Sequence, residues 1–160
     1  PEREHQLMII RQQRSPDARL GCLWLADFRN PANRIGAHLT LDWLNTCASP
    51  PDRLVVAGRG CDWVQEILPT GLFTNMSFLG EVSDTQLNQL YRNCTAQLIV
   101  HPATSGMLTR VIDAAIAGIP VLGNLMALKS YAMCFDSKRS VMPPMFPEHS
   151  VARFLAVMQP

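Results

Sequence analysis

The sequence has almost no net charge, since 14 lysines and arginines stand against 13 aspartates and glutamates, giving +1 at pH 7. So small a charge attracts neither nucleic acid nor an anionic membrane, and no nucleic-acid partner is expected. The sequence also lacks an apolar run near the roughly 18 residues of a spanning helix, and it opens without a signal-peptide pattern. Because it opens on Pro1 rather than methionine, we expect a fragment or processed product that lacks a partner domain.

Motifs that would mark several common enzyme classes are also missing. The five cysteines include no C-x-x-C pair, which argues against a structural zinc site. Their odd number and wide spacing favour a reducing compartment, the cytoplasm, with Cys22 and Cys94 as buried thiols. The sequence contains no G-x-S-x-G and no Walker lysine loop. The four histidines are scattered and form no visible triad or metal pair.

What the sequence does contain is an alternation of short apolar runs with amphipathic segments. The apolar fraction of 48% in 160 residues suffices for the core of one domain. Strands are predicted at residues 19–26, 53–57, 75–79, 97–100 and 121–122. Helices are predicted at residues 34–44, 62–68, 108–117, 125–133 and 151–158, with a further one starting at a capping box formed by Ser83 and Gln86. This order predicts an α/β fold, a Rossmann-like doubly wound parallel sheet, over residues 19–160. Residues 1–18 are a linker or a terminal strand or helix.

The most informative stretch runs from Ala96 to Asn124, where a buried strand, a polar loop, a helix and a strand follow one another. Free backbone N–H groups at such a helix start favour an anion. We therefore predict a phosphate-binding loop made by Thr104, Ser105 and Gly106, with Arg110 one turn into the helix. On spacing alone, a capped helix with an exposed Arg110–Asp113 pair is a slightly better interpretation.

A second glycine-containing turn, Gly58-Arg59-Gly60, follows the predicted strand at residues 53–57. It has part of a nucleotide-binding turn but lacks the full dinucleotide fingerprint. Without other support, a tight strand-to-helix turn is the better interpretation.

Three segments together resemble a known family: LVVAGRG, FLGEVSDTQLNQLYRNCTAQLIVHP and SGMLTRVIDAAIAGIPVLGN. Their order, spacing and register resemble the C-terminal, donor-binding domain of group 1 (family 4-like) glycosyltransferases, which is one half of a GT-B fold. The resemblance covers roughly Leu20 to Asn124. It is specific as a set, although each piece alone is weak.

The sequence departs from the family pattern at two positions of the last segment. Many members have two glutamates separated by seven residues, and these positions hold Ser105 and Asp113 here. A branch of the family instead has a Gly/Ser/Thr-rich loop followed by a basic residue, which Arg110 matches. The stretch at residues 30–36 resembles the P-N-x-x-G loop of that branch through Asn33 and Gly36. Leu108 replaces a glycine that is common in the family.

The resemblance implies a role for each matching position. The donor diphosphate would lie against Gly58, Arg59, Thr104, Ser105, Gly106, Met107, Leu108 and Arg110. Asp113 would bind the ribose, and Glu81 with Val82 would border the base. No catalytic residue is assigned to this domain. Basic groups and the helix dipole would stabilise the leaving diphosphate, so no metal and no cofactor is required.

The implied function is the transfer of a sugar from a nucleotide-diphosphate sugar to an acceptor. The acceptor would bind to the missing N-terminal domain, which would also supply any peripheral contact with a membrane, so this fragment alone would be inactive. One alternative is a degenerate domain that serves as a scaffold or interaction module, which Ser105 and Leu108 favour. Another is a flavodoxin-like response or nucleotide domain with carboxylates at the first strand end, where Asp27 stands alone.

Overall fold

The computed structural model describes residues 2–15, 20–47, 50–69, 71, 75–102, 108–128 and 151–154. The helices are α1 (Glu2–Gln13), α2 (Pro31–Thr46), α3 (Cys61–Glu66), α4 (Asp84–Asn93), α5 (Thr109–Ile116) and α6 (Leu125–Leu128). The strands are β1 (Cys22–Leu25), β2 (Leu54–Ala57), β3 (Met76–Phe78), β4 (Ala96–Ile99), β5 (Val121–Asn124) and β6 (Val151–Phe154). Among the described residues, no helix is long and apolar enough to cross a membrane.

The six strands form one sheet in the order β3-β2-β1-β4-β5-β6. The strands β1 to β5 pair in parallel, with Leu23 of β1 opposite Val55 of β2 and Gln97 of β4. The chain therefore builds the sheet outward from β1 in one direction and then from β4 in the other. This topology confirms the predicted α/β, Rossmann-like doubly wound fold.

Each face of the sheet carries its own apolar core. Leu23, Val55 and Ile99 pack on one face with residues of α1, α4 and α5. Trp24 and Leu98, their neighbours along β1 and β4, pack on the other face with α2 and α3. Strands covered on both sides need apolar residues at successive positions, which explains the unbroken apolar runs of the sequence.

The starts of two helices are set by side-chain caps. The amide oxygen of Asn30 accepts a hydrogen bond from the Ala32 N–H, and Pro31 takes the first helical position, so α2 begins three residues before the predicted boundary. The predicted capping box before α4 is confirmed. The Ser83 hydroxyl accepts from the Gln86 N–H, and the Gln86 side chain accepts from the Ser83 N–H.

The predicted helix at residues 151–158 is wrong, because residues 151–154 form β6, antiparallel to β5 at the sheet edge. Backbone hydrogen bonds to β5 favour the strand, and the sequence of a short apolar segment does not indicate whether such a partner is present. Val151 and Phe154 also belong to the residue types that favour strands. Residues 155–158 lie outside the described residues, as do residues 129–133 of the helix predicted at 125–133.

The first helix, α1, packs against α4 and α5, with Leu7 and Ile10 buried among their apolar side chains. This assignment resolves the strand-or-helix choice that the sequence left open for the described part of residues 1–18. On the same side, Cys94 is a buried free thiol, and Cys22 is buried on the opposite face, as predicted. Burial raises the pKa of both thiols.

Candidate functional site

The candidate site lies at the carboxyl ends of β1 and β4. These neighbouring strands are followed by helices on opposite faces of the sheet, because α2 leaves β1 on one face and α5 leaves β4 on the other. The chain thus opens a crevice where the strand order reverses. In open parallel sheets, ligands bind in this crevice.

Arg110 of α5 reaches across this crevice. Its Nη1 donates a hydrogen bond of 2.8 Å to the Leu25 carbonyl at the end of β1, and its Nη2 donates one of 3.1 Å to the Asn33 amide oxygen of α2. Burial lowers the pKa of Arg110, but an arginine stays charged near neutral pH. Among the described residues, no carboxylate pairs with this guanidinium. The site therefore holds a partly buried cation whose two protein ligands are neutral.

An open cleft of about 280 Å³ surrounds Arg110. The described residues that line it are mostly polar: Asp27, Asn30, Asn33, His101, Leu108, Thr109 and Arg110. Asp27 is hydrogen-bonded to Arg29, which holds the pKa of its carboxyl at about 2. Burial lowers the pKa of His101, so its imidazole is neutral at pH 7. The cleft thus combines one cation, one anion and several neutral hydrogen-bonding groups.

His101 and Asn124 form a buried pair that the sequence analysis did not assign to the site. The Asn124 amide oxygen accepts from the His101 N–H at 3.1 Å, and its Nδ2 donates to the His101 carbonyl at 2.8 Å. The side chain of Asn124 thereby joins the ends of β4 and β5. In the sequence, His101 and Asn124 are each marked only as a polar residue at the end of an apolar run. This pattern does not distinguish a structural role from a binding role.

Among the described residues, no side chain caps the start of α5. Leu108 is the N-cap residue in an extended conformation, and the Val111 N–H bonds back to the Leu108 carbonyl. The described residues therefore give no support to the capped helix of the alternative interpretation, and a cap from residues 104–107 is not tested. Thr104, Ser105, Gly106 and Met107 lie outside the described residues, so their predicted contacts with a diphosphate stay predictions.

Asp113 and Arg110 do not pair, so the exposed Arg110–Asp113 pair of that interpretation is wrong. The Asp113 carboxylate accepts from Arg3 of α1 at 3.1 Å, and Arg3 also donates to the Asn88 side chain at 3.2 Å. The side chains of Arg3 and Asp113 remain 40% and 27% exposed. The predicted ribose contact of Asp113 is not tested by this geometry, but a ligand there would meet Arg3.

The remaining predicted positions gather beside β2 rather than in the cleft. Gly58 directly follows β2 and has a φ of +120°, and a Cβ added there would lie 1.9 Å from the Ala26 carbonyl oxygen, so the turn admits only glycine. Arg59 and Glu81 form an exposed ion pair, and Val82 packs against the core. The predicted phosphate and base residues therefore contact each other. Their roles toward a donor stay predictions.

The described residues contain no group of three or more histidine, cysteine, aspartate or glutamate side chains close enough to hold a metal ion. The expectation that donor binding needs no metal remains a prediction.

Comparison with known proteins assigns this chain to no family. No family model matches the chain, and no curated protein matches it. Among solved structures, the chain is similar to AviGT4, a glycosyltransferase involved in avilamycin A biosynthesis, at 21% identity and a TM-score of 0.49. The match covers 74% of this chain and 36% of that one. A similar arrangement of strands and helices does not by itself carry a function.

Proposed function

We propose that this chain is the donor-binding domain of a glycosyltransferase and that its crevice holds the diphosphate of a nucleotide-diphosphate sugar. The observation that carries the proposal is the placement of Arg110. A guanidinium that is partly buried at the switch point, with only neutral ligands among the described residues, favours an anion from solution. The resemblance of the three sequence segments supports a nucleotide sugar as the source of that anion.

In the proposed complex, Arg110 neutralises the diphosphate from one side. The N–H groups of Thr109 and Arg110 open α5, where the helix dipole also favours negative charge. As the sugar forms a bond to an acceptor oxygen, which gives up its proton to a base beside the acceptor, the bond between the sugar and the diphosphate breaks and negative charge grows on the leaving phosphate oxygen. Arg110 and the N–H groups of α5 then bind the departing diphosphate more strongly than the intact donor, which lowers the barrier. We propose that the acceptor binds to a separate domain, so the 160-residue chain alone binds donor without turnover.

The test is calorimetry with UDP, GDP and inorganic pyrophosphate on wild type and on Arg110→Ala. Removing a charge-assisted pair of hydrogen bonds costs about 1.5–3 kcal/mol, which corresponds to about a 10- to 150-fold loss of affinity. The matched control is Arg53→Ala, which removes an equal charge from an exposed residue just before β2. Arg53 lies at the amino end of its strand, whereas the cleft lies at the carboxyl ends. Equal affinities of wild type and Arg110→Ala would contradict the proposal.

A degenerate domain that acts as a scaffold is the second candidate. The observation that favours it is that Asp113 and Glu81, the proposed ribose and base residues, are already paired with arginines of the same chain. Under this alternative, the folded wild-type protein binds neither nucleotide nor pyrophosphate. The same titrations therefore decide between the two functions.

A further inference from the structure

Two residues of the P-N-x-x-G stretch lie one helical turn apart near the start of α2. Asn33 and Gly36 are three positions apart, so they share a face of the helix. That face is turned toward β4 and the crevice, because Gly36 contacts the end of β4 and Asn33 contacts Arg110. The proposed function assigns a task to Arg110 but leaves these two residues without one.

Gly36 sets how closely α2 approaches the sheet. A Cβ added at this position would lie 2.3 Å from the Val100 carbonyl oxygen and 3.2 Å from the carbonyl carbon. Both atoms belong to the backbone just after β4, so a side chain could not be accommodated by a rotamer change. The helix therefore rests directly on the backbone that leaves β4, and this contact brings Asn33 within reach of Arg110.

The Asn33 amide is held at both ends. Its Nδ2 donates 2.8 Å to the Asp27 carbonyl, and its Oδ1 accepts from Arg110 Nη2 at 3.1 Å. These partners also fix which end is oxygen, because a carbonyl only accepts and a guanidinium only donates. A side chain held in this way presents one acceptor in one place. Its partner guanidinium is consequently fixed in orientation.

Two of the five N–H donors of Arg110 bind the Leu25 carbonyl and the Asn33 oxygen. The other three have no partner among the described residues. A guanidinium binds phosphate best when two parallel N–H groups face two oxygens, which requires a defined orientation of its plane. A lysine or a freely rotating arginine would supply the same charge without that orientation.

We propose that Asn33 is the positioning residue for Arg110: it turns the guanidinium so that its free N–H groups face the diphosphate, and Gly36 allows the close approach this needs. The inference rests on the proposed function, since it takes the Arg110 ligand to be a diphosphate. Asn33 acts through Arg110 and does not itself contact the anion. The proposal therefore predicts that the effects of Asn33 and Arg110 on diphosphate affinity are coupled, which a simple loss of stability would not produce.

The experiment is a double-mutant cycle with pyrophosphate and UDP as the titrants. The variants are Asn33→Ala, Arg110→Lys and the two combined. We expect Asn33→Ala to lower pyrophosphate affinity about fivefold beside Arg110 and less than about twofold beside the lysine, because a lysine has no second nitrogen to orient. Arg110→Lys keeps the charge, so binding stays measurable.

Two further variants separate positioning from stability. Leu44→Val removes a buried methylene near the far end of the same helix, away from the cleft, so we expect lower thermal stability with pyrophosphate affinity within about twofold of wild type. Asn33→Asp keeps an acceptor beside Arg110 but adds a competing negative charge, so we expect affinity below that of Asn33→Ala.

Each contrary outcome has a distinct meaning. An equal effect of Asn33→Ala beside arginine and lysine would overturn the positioning role while leaving the proposed function intact. An equal loss of affinity in Leu44→Val would overturn it too, since helix stability would then explain the result. A wild-type protein that binds neither titrant would overturn the proposed function, and this inference with it.

Discussion

Replacing Gly36 by alanine tests the geometry of the crevice without any ligand. The added Cβ would lie 2.3 Å from the Val100 carbonyl oxygen, where ordinary contacts begin at 3.4 Å. Relieving the overlap requires α2 or the end of β4 to move by about 1 Å, a small-to-large change of the kind that costs about 1–3 kcal/mol. Because the obstacle is backbone, we expect the upper end of that range.

The gain from the helix itself does not offset this cost. Alanine is better than glycine in a helix interior by about 0.8–1 kcal/mol, which leaves a net loss of about 2 kcal/mol for Gly36→Ala. In a protein of this size, that loss lowers the thermal midpoint by about 4–8 °C. The assay is thermal unfolding followed by circular dichroism.

The matched control is Ile35→Ala, at the neighbouring position of α2. Ile35 is 51% exposed, so this variant changes the helix on its solvent side. Its free energy of unfolding is expected to lie within about 0.5 kcal/mol of the wild-type value. A midpoint for Gly36→Ala that is equal to or above the wild-type value would refute the contact between α2 and the Val100 carbonyl. The positioning role of Asn33 would then lose its geometric basis.

Two other perturbations concern ion pairs near the crevice. Arg3→Ala frees the Asp113 carboxylate from a partly exposed ion pair that is worth about 0.2–1 kcal/mol. We therefore expect UDP affinity to rise by up to about fivefold while pyrophosphate affinity stays unchanged. Equal gains for both ligands in calorimetry would contradict a ribose role for Asp113. Arg29→Ala should raise the pKa of Asp27 from about 2 toward its ordinary value near 3.9, and the rise is partial because the backbone N–H of residue 29 still donates to Asp27; NMR titration measures it. Because the folded pKa is the lower one, this pair adds stability above about pH 4 and loses it as the pH falls toward 2.

Features written in local sequence were predictable. The apolar runs at residues 53–57 and 97–100 predict strands buried on both faces, and the sheet places them there. The three-residue spacing of Ser83 and Gln86 is sufficient to predict their capping box. Gly118, at φ +66°, ends α5 as a glycine at this position should. In each case one segment contains the whole physical cause.

Features that depend on distant partners were not predictable in the same way. Arg3 and Asp113 are 110 residues apart in sequence, and nothing near either residue indicates the other. The strand at residues 151–154 likewise owes its form to β5. At the site, spacing suggested that Arg110 would pair with Asp113 because the two are helix neighbours. Arg110 instead donates to the Leu25 carbonyl at the end of β1, and Asp113 accepts from Arg3 of α1.

The contrast between Arg110 and Asp113 bears on which function the chain retains. The cation in the crevice has only neutral ligands among the described residues, so binding a diphosphate breaks no ion pair there. The carboxylate assigned to the ribose is paired with Arg3, so binding a nucleoside must displace or share that arginine. An active donor site should bind UDP more tightly than pyrophosphate, because the nucleoside adds contacts that outweigh this cost. A chain that binds both equally has kept its phosphate subsite and lost its nucleoside subsite. The ratio of the two affinities therefore separates an intact donor site from a phosphate subsite alone, whereas the scaffold alternative predicts binding of neither ligand.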